Sequence, residues 1–215
     1  MKFTTRDLSV KRGDDFLFMN VSLNLTEGDA LILTGANGSG KSTLLRTLAG
    51  LIPPESGRIL LQGETIEEGT KAYEACHYLG HKNAMKSELT VAENLSFWKS
   101  FLGDFGPSKH ISMSIDQAAQ AVGLGDILHL PYAYLSAGQQ RRMAMAKLLC
   151  SYRPIWLLDE PTSALDRAAD DVFVSLFNDH LASGGIIVAA THQPLPLTNA
   201  RFLTMAGFSA GYPAE

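Results

Sequence analysis

The chain has 215 residues, of which 46% are apolar and 19% charged, with a formal net charge of −4. That size and mix fit one sizeable folded domain, or one domain carrying a subdomain. The acidic balance and the lack of a Lys/Arg run argue against nucleic acid as a partner, because binding a phosphate backbone requires a basic patch. Two cysteines, Cys76 and Cys150, are too few for a disulfide framework. Both sit among apolar neighbours and read as packing residues in a reducing compartment. The opening "MKFTTRDLSVKRGDD" lacks the apolar core of a signal peptide. No apolar run reaches the roughly 18 to 20 residues of a membrane span, so any membrane part is expected from other chains.

In chain order, residues 1–27 read as short strands around a turn at "KRGDD", an antiparallel sheet at one edge. "DALILTG", "RILLQG", "PIWLLDE" and "GIIVAATH" read as buried strands. "KSTLLRTLAGL" is helical. "DRAADDVFVSLFNDHLASGG" is a helix with Asp166 as N-cap and Gly184 just past its end. This alternation predicts an α/β fold: a mainly parallel sheet with helices on both faces, beside the antiparallel edge sheet. Between Lys82 and Leu135 no buried-strand run occurs. "LTVAENLSFWKSFLG" is a helix opened by a capping box of Thr90 and Glu93. "GDFGPSKHISM" is a loop and "SIDQAAQAVGLGDIL" a second helix. Residues 82–135 are therefore expected to form a helical subdomain inserted in a core of 1–81 plus 136–215.

"GANGSGKST", from Gly35 to Thr43, fits the pattern G-x-x-x-x-G-K-[ST] between an apolar strand and a helix. Gly35, Gly38 and Gly40 let the loop wrap tightly, so that it and the intervening Ala36, Asn37 and Ser39 point backbone N–H groups at phosphate oxygens. The helix N-terminus adds a favourable dipole. Lys41 would reach the β- and γ-phosphates of ATP, and the Ser42 hydroxyl would ligate Mg²⁺. The fold class is thus a P-loop NTPase core. "IWLLDE" is an apolar strand ending in two carboxylates. It delivers Asp159 to the Mg²⁺ shell, and Glu160 beyond it is suited to polarise an attacking water. That strand is expected to neighbour the one that carries the phosphate loop.

"YLSAGQQRRMAMAKLL" opens a helix on a capping box, Ser136 with Gln139. The cap does not explain Gly138, which a helix disfavours by about 1 kcal/mol relative to Ala. At this point a family becomes visible. The order phosphate loop, helical insert, "LSAGQ", "LLDEP", "SALD" and "TH" resembles the nucleotide-binding domains of ABC transporters over nearly the whole chain. The resemblance implies two copies, or one copy and a homologous subunit, facing head to tail. Each ATP would lie between one phosphate loop and the other copy's signature. Ser136, Gly138 and Gln139 would then approach the partner's γ-phosphate. Asp166 would bridge the copies near the attacking water, and His192 would contact the γ-phosphate in its own copy. A plain surface histidine is the alternative for His192, and its place at a buried strand's end beyond the Asp-Glu pair favours the functional role.

Three positions depart from the family pattern. Ala137 replaces the first signature glycine, which an early helix position tolerates without strain. His81 stands where the family usually has Gln. Imidazole is a poorer ligand than oxygen for Mg²⁺, so His81 is expected to act through water and to make coupling pH-sensitive. Arg12 stands where an aromatic ring usually stacks on adenine. Its planar guanidinium can stack instead, or it is a solvated surface Arg. These departures, the short C-terminus after "THQPL" and the signature sequence together look like the ATP-binding subunits of bacterial cytochrome c biogenesis. That implies a haem-delivery permease as membrane partner and a peripheral place on the cytoplasmic face of the inner membrane. ABC motifs alone do not identify cargo. A lipid or drug exporter, a soluble non-transport ABC ATPase, and a module that binds ATP without hydrolysis stay open at this level.

Overall fold

In the computed structural model, residues 1–64, 66–67, 69–106 and 112–206 are described. In chain order the elements are β1 (Lys2–Arg12), β2 (Asp15–Thr26), β3 (Ala30–Thr34), α1 (Lys41–Leu48), β4 (Ser56–Gln62), β5 (Cys76–Leu79), α2 (Val91–Leu102), α3 (Ile115–Ala121), α4 (Ala137–Cys150), β6 (Ile155–Asp159), α5 (Arg167–Ala182), β7 (Ile186–Ala190) and β8 (Ala200–Thr204).

The strands form two sheets, an antiparallel one ordered β2-β1-β4 and a parallel one ordered β5-β6-β7-β3-β8. The N-terminal segment differs from the short strands expected. It is a long hairpin whose ladder with β2 shifts register between Thr5 and Leu8 and again near Val10. Bulges let a strand with interrupted alternation stay paired while it bends. "RILLQG" also departs from expectation. It is β4, an edge strand of the antiparallel sheet, and Ile59 to Leu61 are only half-buried. A short apolar run reads the same in an edge strand as in a buried one.

The parallel sheet is apolar on both faces. From Ala30 to Leu33, Ile155 to Leu158 and Ile186 to Ala190 every side chain is buried. Alternate residues serve opposite layers, as the two-residue strand period requires. Leu31, Leu33, Ile155, Leu157, Ile186 and Val188 pack with Leu44, Leu45 and Leu48 of α1 and with the antiparallel sheet. Ile32, Trp156, Leu158, Ile187 and Ala189 pack with α4 and α5. Helices on both faces are thus observed. β5 and β8, each at a sheet edge, are too short and too mixed in polarity to announce themselves in the sequence.

Among the described residues 82–135 there are helices and no named strand. Thr90, Ser114 and Ser136 each open a helix with a reciprocal capping box. α3 stops at Ala121, ahead of Gly123 in a left-handed conformation, and a short 3₁₀ turn follows at Gly125–Ile127. Part of the expected loop "GDFGPSKHISM" lies outside the described residues. Val91 and Leu95 of α2 and Ala118 and Ala119 of α3 join Met143, Ala144 and Leu148 of α4 in the cluster that continues onto the sheet. α4 therefore packs on the insert and on the sheet at once. Leu95 is buried, Trp98 is half-buried with its Nε1–H donated to Ala84 O, and Phe97 and Phe101 are exposed. No helix of the described residues is long and apolar enough to cross a membrane.

Candidate active site

The parallel strands point their C-terminal ends at one cavity of about 770 Å³. The ends of open α/β sheets are where such folds place ligands. Asn37 to Thr43, Asp159, Glu160, His192, His81 and Arg12 all line it.

Four features shape the phosphate loop. Gly35 has φ 132°, and a Cβ there would collide with the Met205 carbonyl oxygen at the end of β8. Gly40, the N-cap of α1, is left-handed at φ 97° and supplies no side-chain cap. The first-turn N–H groups of α1 are thus left for an anion rather than a side chain. Lys41 is buried, with Nζ donating to Gly35 O at 2.7 Å and Ala36 O at 3.0 Å. Ser39 Oγ is buried with no hydrogen-bond partner. An orphaned buried hydroxyl in a Gly-rich cradle fits a ligand that supplies the missing acceptor or donor.

Ser42 Oγ donates to Asp159 Oδ1 at 2.9 Å. The two meet although β6 is not the neighbour of β3. β7 lies between them, with Ala190 opposite both Leu33 and Asp159. This corrects the expected adjacency of the two strands. The donors here are hydroxyl and carboxylate oxygen, the hard ligands Mg²⁺ prefers. Among the described residues no group of three or more His, Cys, Asp or Glu could hold a metal. A cation between Ser42 and Asp159 must therefore take its other ligands from phosphate and water, which is the habit of Mg²⁺. Arg46 Nε and the Tyr78 hydroxyl approach at 3.3 Å, and Tyr78 OH lies 3.5 Å from Asp159 Oδ2. Sequence reading missed Tyr78, because β5 carries no motif.

Glu160 follows β6 with φ 47°, a left-handed conformation costly for a residue with a Cβ. Its N–H donates to Ala190 O at 2.8 Å. Its carboxylate accepts from the His192 N–H at 3.4 Å, and His192 Nε2 lies 3.7 Å from Oε1. The Asp-Glu pair, the phosphate loop and His192 thus share one site.

The signature lies elsewhere. Among the described residues lining the cavity, none comes from Ser136 to Gln139. Ser136 N donates to Gln139 Oε1 at 2.9 Å and Ser136 Oγ accepts from Gln139 N at 3.3 Å. A Cβ on Gly138 would stand 3.3 Å from Ala164 O, so this glycine also has a packing reason that the sequence hides. Asp166 caps α5 through Ala169 N at 2.8 Å and pairs with Arg142 at 3.1 Å. Arg141 of α4, whose Nη2 donates to the main chain at Asp159 and Glu160, was missed as well. Two arginines in the early turns of a helix, where the dipole disfavours cations, were the available hint.

Comparisons with known proteins agree with this geometry. The ABC transporter family profile matches residues 18–163. The cytochrome c biogenesis ATP-binding export protein CcmA of Agrobacterium fabrum is 62% identical, covering 97% of each chain. The protein of that name from Rhizobium meliloti is 56% identical over 97% of this chain and 99% of its own. The one from Brucella abortus is 45% identical over 97% and 98%. A solved structure described as an ABC transporter ATP-binding protein, from Pyrococcus furiosus, superposes with a TM-score of 0.77 at 24% identity, covering 95% of this chain and 98% of its own, a likeness of fold. At these identities and coverages the chain belongs to the ABC transporter family, as an ATP-binding, ATP-hydrolysing subunit of the CcmA group.

Proposed function

We propose that this ATPase powers haem export, or release of a haem-loaded chaperone, in c-type cytochrome biogenesis, from the cytoplasmic face of a bacterial inner membrane. The observation that carries the reading is the near full-length identity to CcmA proteins together with an intact catalytic constellation on one cavity. ATP binds with its phosphates on Gly35 to Thr43. Lys41 turns from the loop carbonyls to the β- and γ-phosphates. Ser42 and Asp159 would hold Mg²⁺, which would neutralise phosphate charge. Glu160 orients and deprotonates the attacking water, and His192 contacts the γ-phosphate. Phosphoryl transfer asks mainly for this positioning and charge stabilisation.

Two copies close head to tail, so that Ser136, Gly138 and Gln139 of one complete the ATP site of the other. That no described residue of the signature lines its own copy's cavity supports this arrangement. Asp166 meets the partner copy near the attacking water. His81 senses the site from the loop after β5, and Arg12 stacks on adenine at the cavity's far wall. Residues 82–135 pass the motion to a haem-delivery permease, with exposed Phe97 and Phe101 on α2 as contact surface.

The test is Glu160→Gln in the full chain. It traps an ATP-bound dimer and lowers turnover at least about 100-fold. Purification from membranes recovers a permease of a cytochrome c operon with the chain. Unchanged turnover, or recovery with an unrelated permease, overturns the corresponding part.

A further inference from the structure

Arg141 lies on α4, one turn past the signature, and is 4% exposed. Its guanidinium reaches five acceptors from two loops. Nε donates to Pro161 O at 2.9 Å. Nη1 donates to Gly80 O at 2.8 Å and Asn83 Oδ1 at 3.3 Å. Nη2 donates to Asp159 O at 2.8 Å and Glu160 O at 2.6 Å. An arginine has five N–H donors in a fixed fork, so its capacity is filled. Burial lowers its pKa to about 10, which leaves it charged at neutral pH.

The acceptors have one thing in common. Gly80 and Asn83 flank His81. Asp159, Glu160 and Pro161 span the left-handed turn at Glu160, φ 47°. That backbone is sparsely populated for a residue with a Cβ and persists only where surroundings over-determine it. Ala190 O holds Glu160 by its N–H, and Arg141 holds it by its carbonyl. A lysine offers three donors at one point and no fork, and cannot span both loops.

We infer that Arg141 is a positioning residue for hydrolysis: it fixes the backbone on both sides of Glu160 and ties that turn to the His81 loop and to the signature helix. The inference rests on the reading of Glu160 as the base. Under it, movement of the signature helix that serves the partner's ATP is transmitted rigidly to the residue that hydrolyses this copy's own ATP.

A second buried arginine provides the control. Arg153, 9% exposed, donates to Leu102 O, Gly103 O and Tyr152 O, away from the cavity. Arg141→Lys and Arg153→Lys are made in the full chain and compared for kcat, for affinity toward a fluorescent ATP analogue, and for Tm. Arg141→Lys is expected to lower kcat at least about tenfold, with nucleotide affinity within about twofold, because the phosphate loop is untouched. Arg153→Lys lowers Tm and leaves kcat within about twofold. Should Arg141→Lys not fold, Asn83→Ala carries the test. It removes one acceptor of the fork and is expected to lower kcat about threefold at unchanged affinity. The inference is overturned if kcat of the folded variant stays within about twofold of wild type, or if its loss merely tracks the loss of Tm as in Arg153→Lys. If Glu160→Gln retains turnover, the reading of Glu160 falls and this inference with it. Loss of turnover in Glu160→Gln with normal kcat in Arg141→Lys removes the inference alone.

Discussion

Two helix N-termini in this protein face the same electrostatic problem and solve it differently. α1 begins after the left-handed Gly40 with no side-chain cap. α4 begins at Ser136 with a full capping box. An uncapped helix leaves its orphan N–H groups pointing at whatever anion the loop encloses. A capped one has satisfied its own donors at Ser136 and Gln139 and keeps Ser136 and Ala137 exposed. The first design makes a site within one chain. On the function proposed above, the second makes a stable edge that would complete a site only when another molecule brings the phosphate. The Ser136 hydroxyl can accept from Gln139 and still donate its hydrogen, so the cap and the contact to a partner coexist.

Substituting one glycine in each region sharpens the difference. Gly35→Ala should have the larger effect. It sets a Cβ against the Met205 carbonyl and a left-handed φ, costing more than about 2 kcal/mol of stability and abolishing ATP binding; urea unfolding and nucleotide titration check it. Gly138→Ala should leave stability within about 1 kcal/mol, since helix propensity offsets the tight approach to Ala164 O. ATP binding to the single copy should persist while dimer-dependent turnover falls about tenfold. Equal losses of binding in both variants would break the comparison.

A third test leaves the helix ends and probes the sheet beneath them. Burial lowers the pKa of His77 on β5 to about 3, and its Nε2 donates to Ser151 O at 2.7 Å. The folded value lies below the unfolded value of about 6.5. The unfolded chain therefore binds the extra proton first, and stability is lost as pH falls below about 6.5. At pH 5.5 the loss is on the order of 1 kcal/mol. Urea unfolding at pH 5.5 and 7.5 should show it in wild type and a flatter response in His77→Gln.

Two smaller effects concern the departures from the family pattern. His81 is exposed and lines the cavity beside Asp159 and Glu160. His81→Gln should alter the ATPase rate measured across a pH series, as expected of a side chain that acts on the site through water. An unchanged profile removes the coupling role. Arg12→Ala should weaken ATP binding by about threefold, the size of an exposed cation–π contact. Unchanged affinity leaves Arg12 as a solvated side chain.

Contiguous features were legible in the residues. The phosphate loop, the capping boxes at Thr90 and Ser136, and the Asp166 cap of α5 depend on neighbours within a few positions, so their chemistry is written locally. The parallel core was legible for the same reason, because strands buried on both faces must be apolar throughout. What depended on distant partners was not. β4 looked like a core strand until its pairing with β1 placed it at an edge. The interposition of β7 between β3 and β6 follows from crossover topology, which no single strand encodes.

The amino-acid sequence by itself therefore determined the family: a phosphate-loop pattern, two carboxylates at a strand end and a signature-like helix start are each contiguous in the chain. Tertiary structure alone decided how those parts are held. It brought Ser42 to Asp159 across Ala190, set Met205 over Gly35, and aimed one buried arginine at five acceptors in two loops. The reason is physical. A motif is a short-range pattern of donors and dihedrals, whereas four of this arginine's five acceptors are main-chain carbonyls and the fifth is the Asn83 side chain. Every residue carries a carbonyl, so no residue type marks the four that matter.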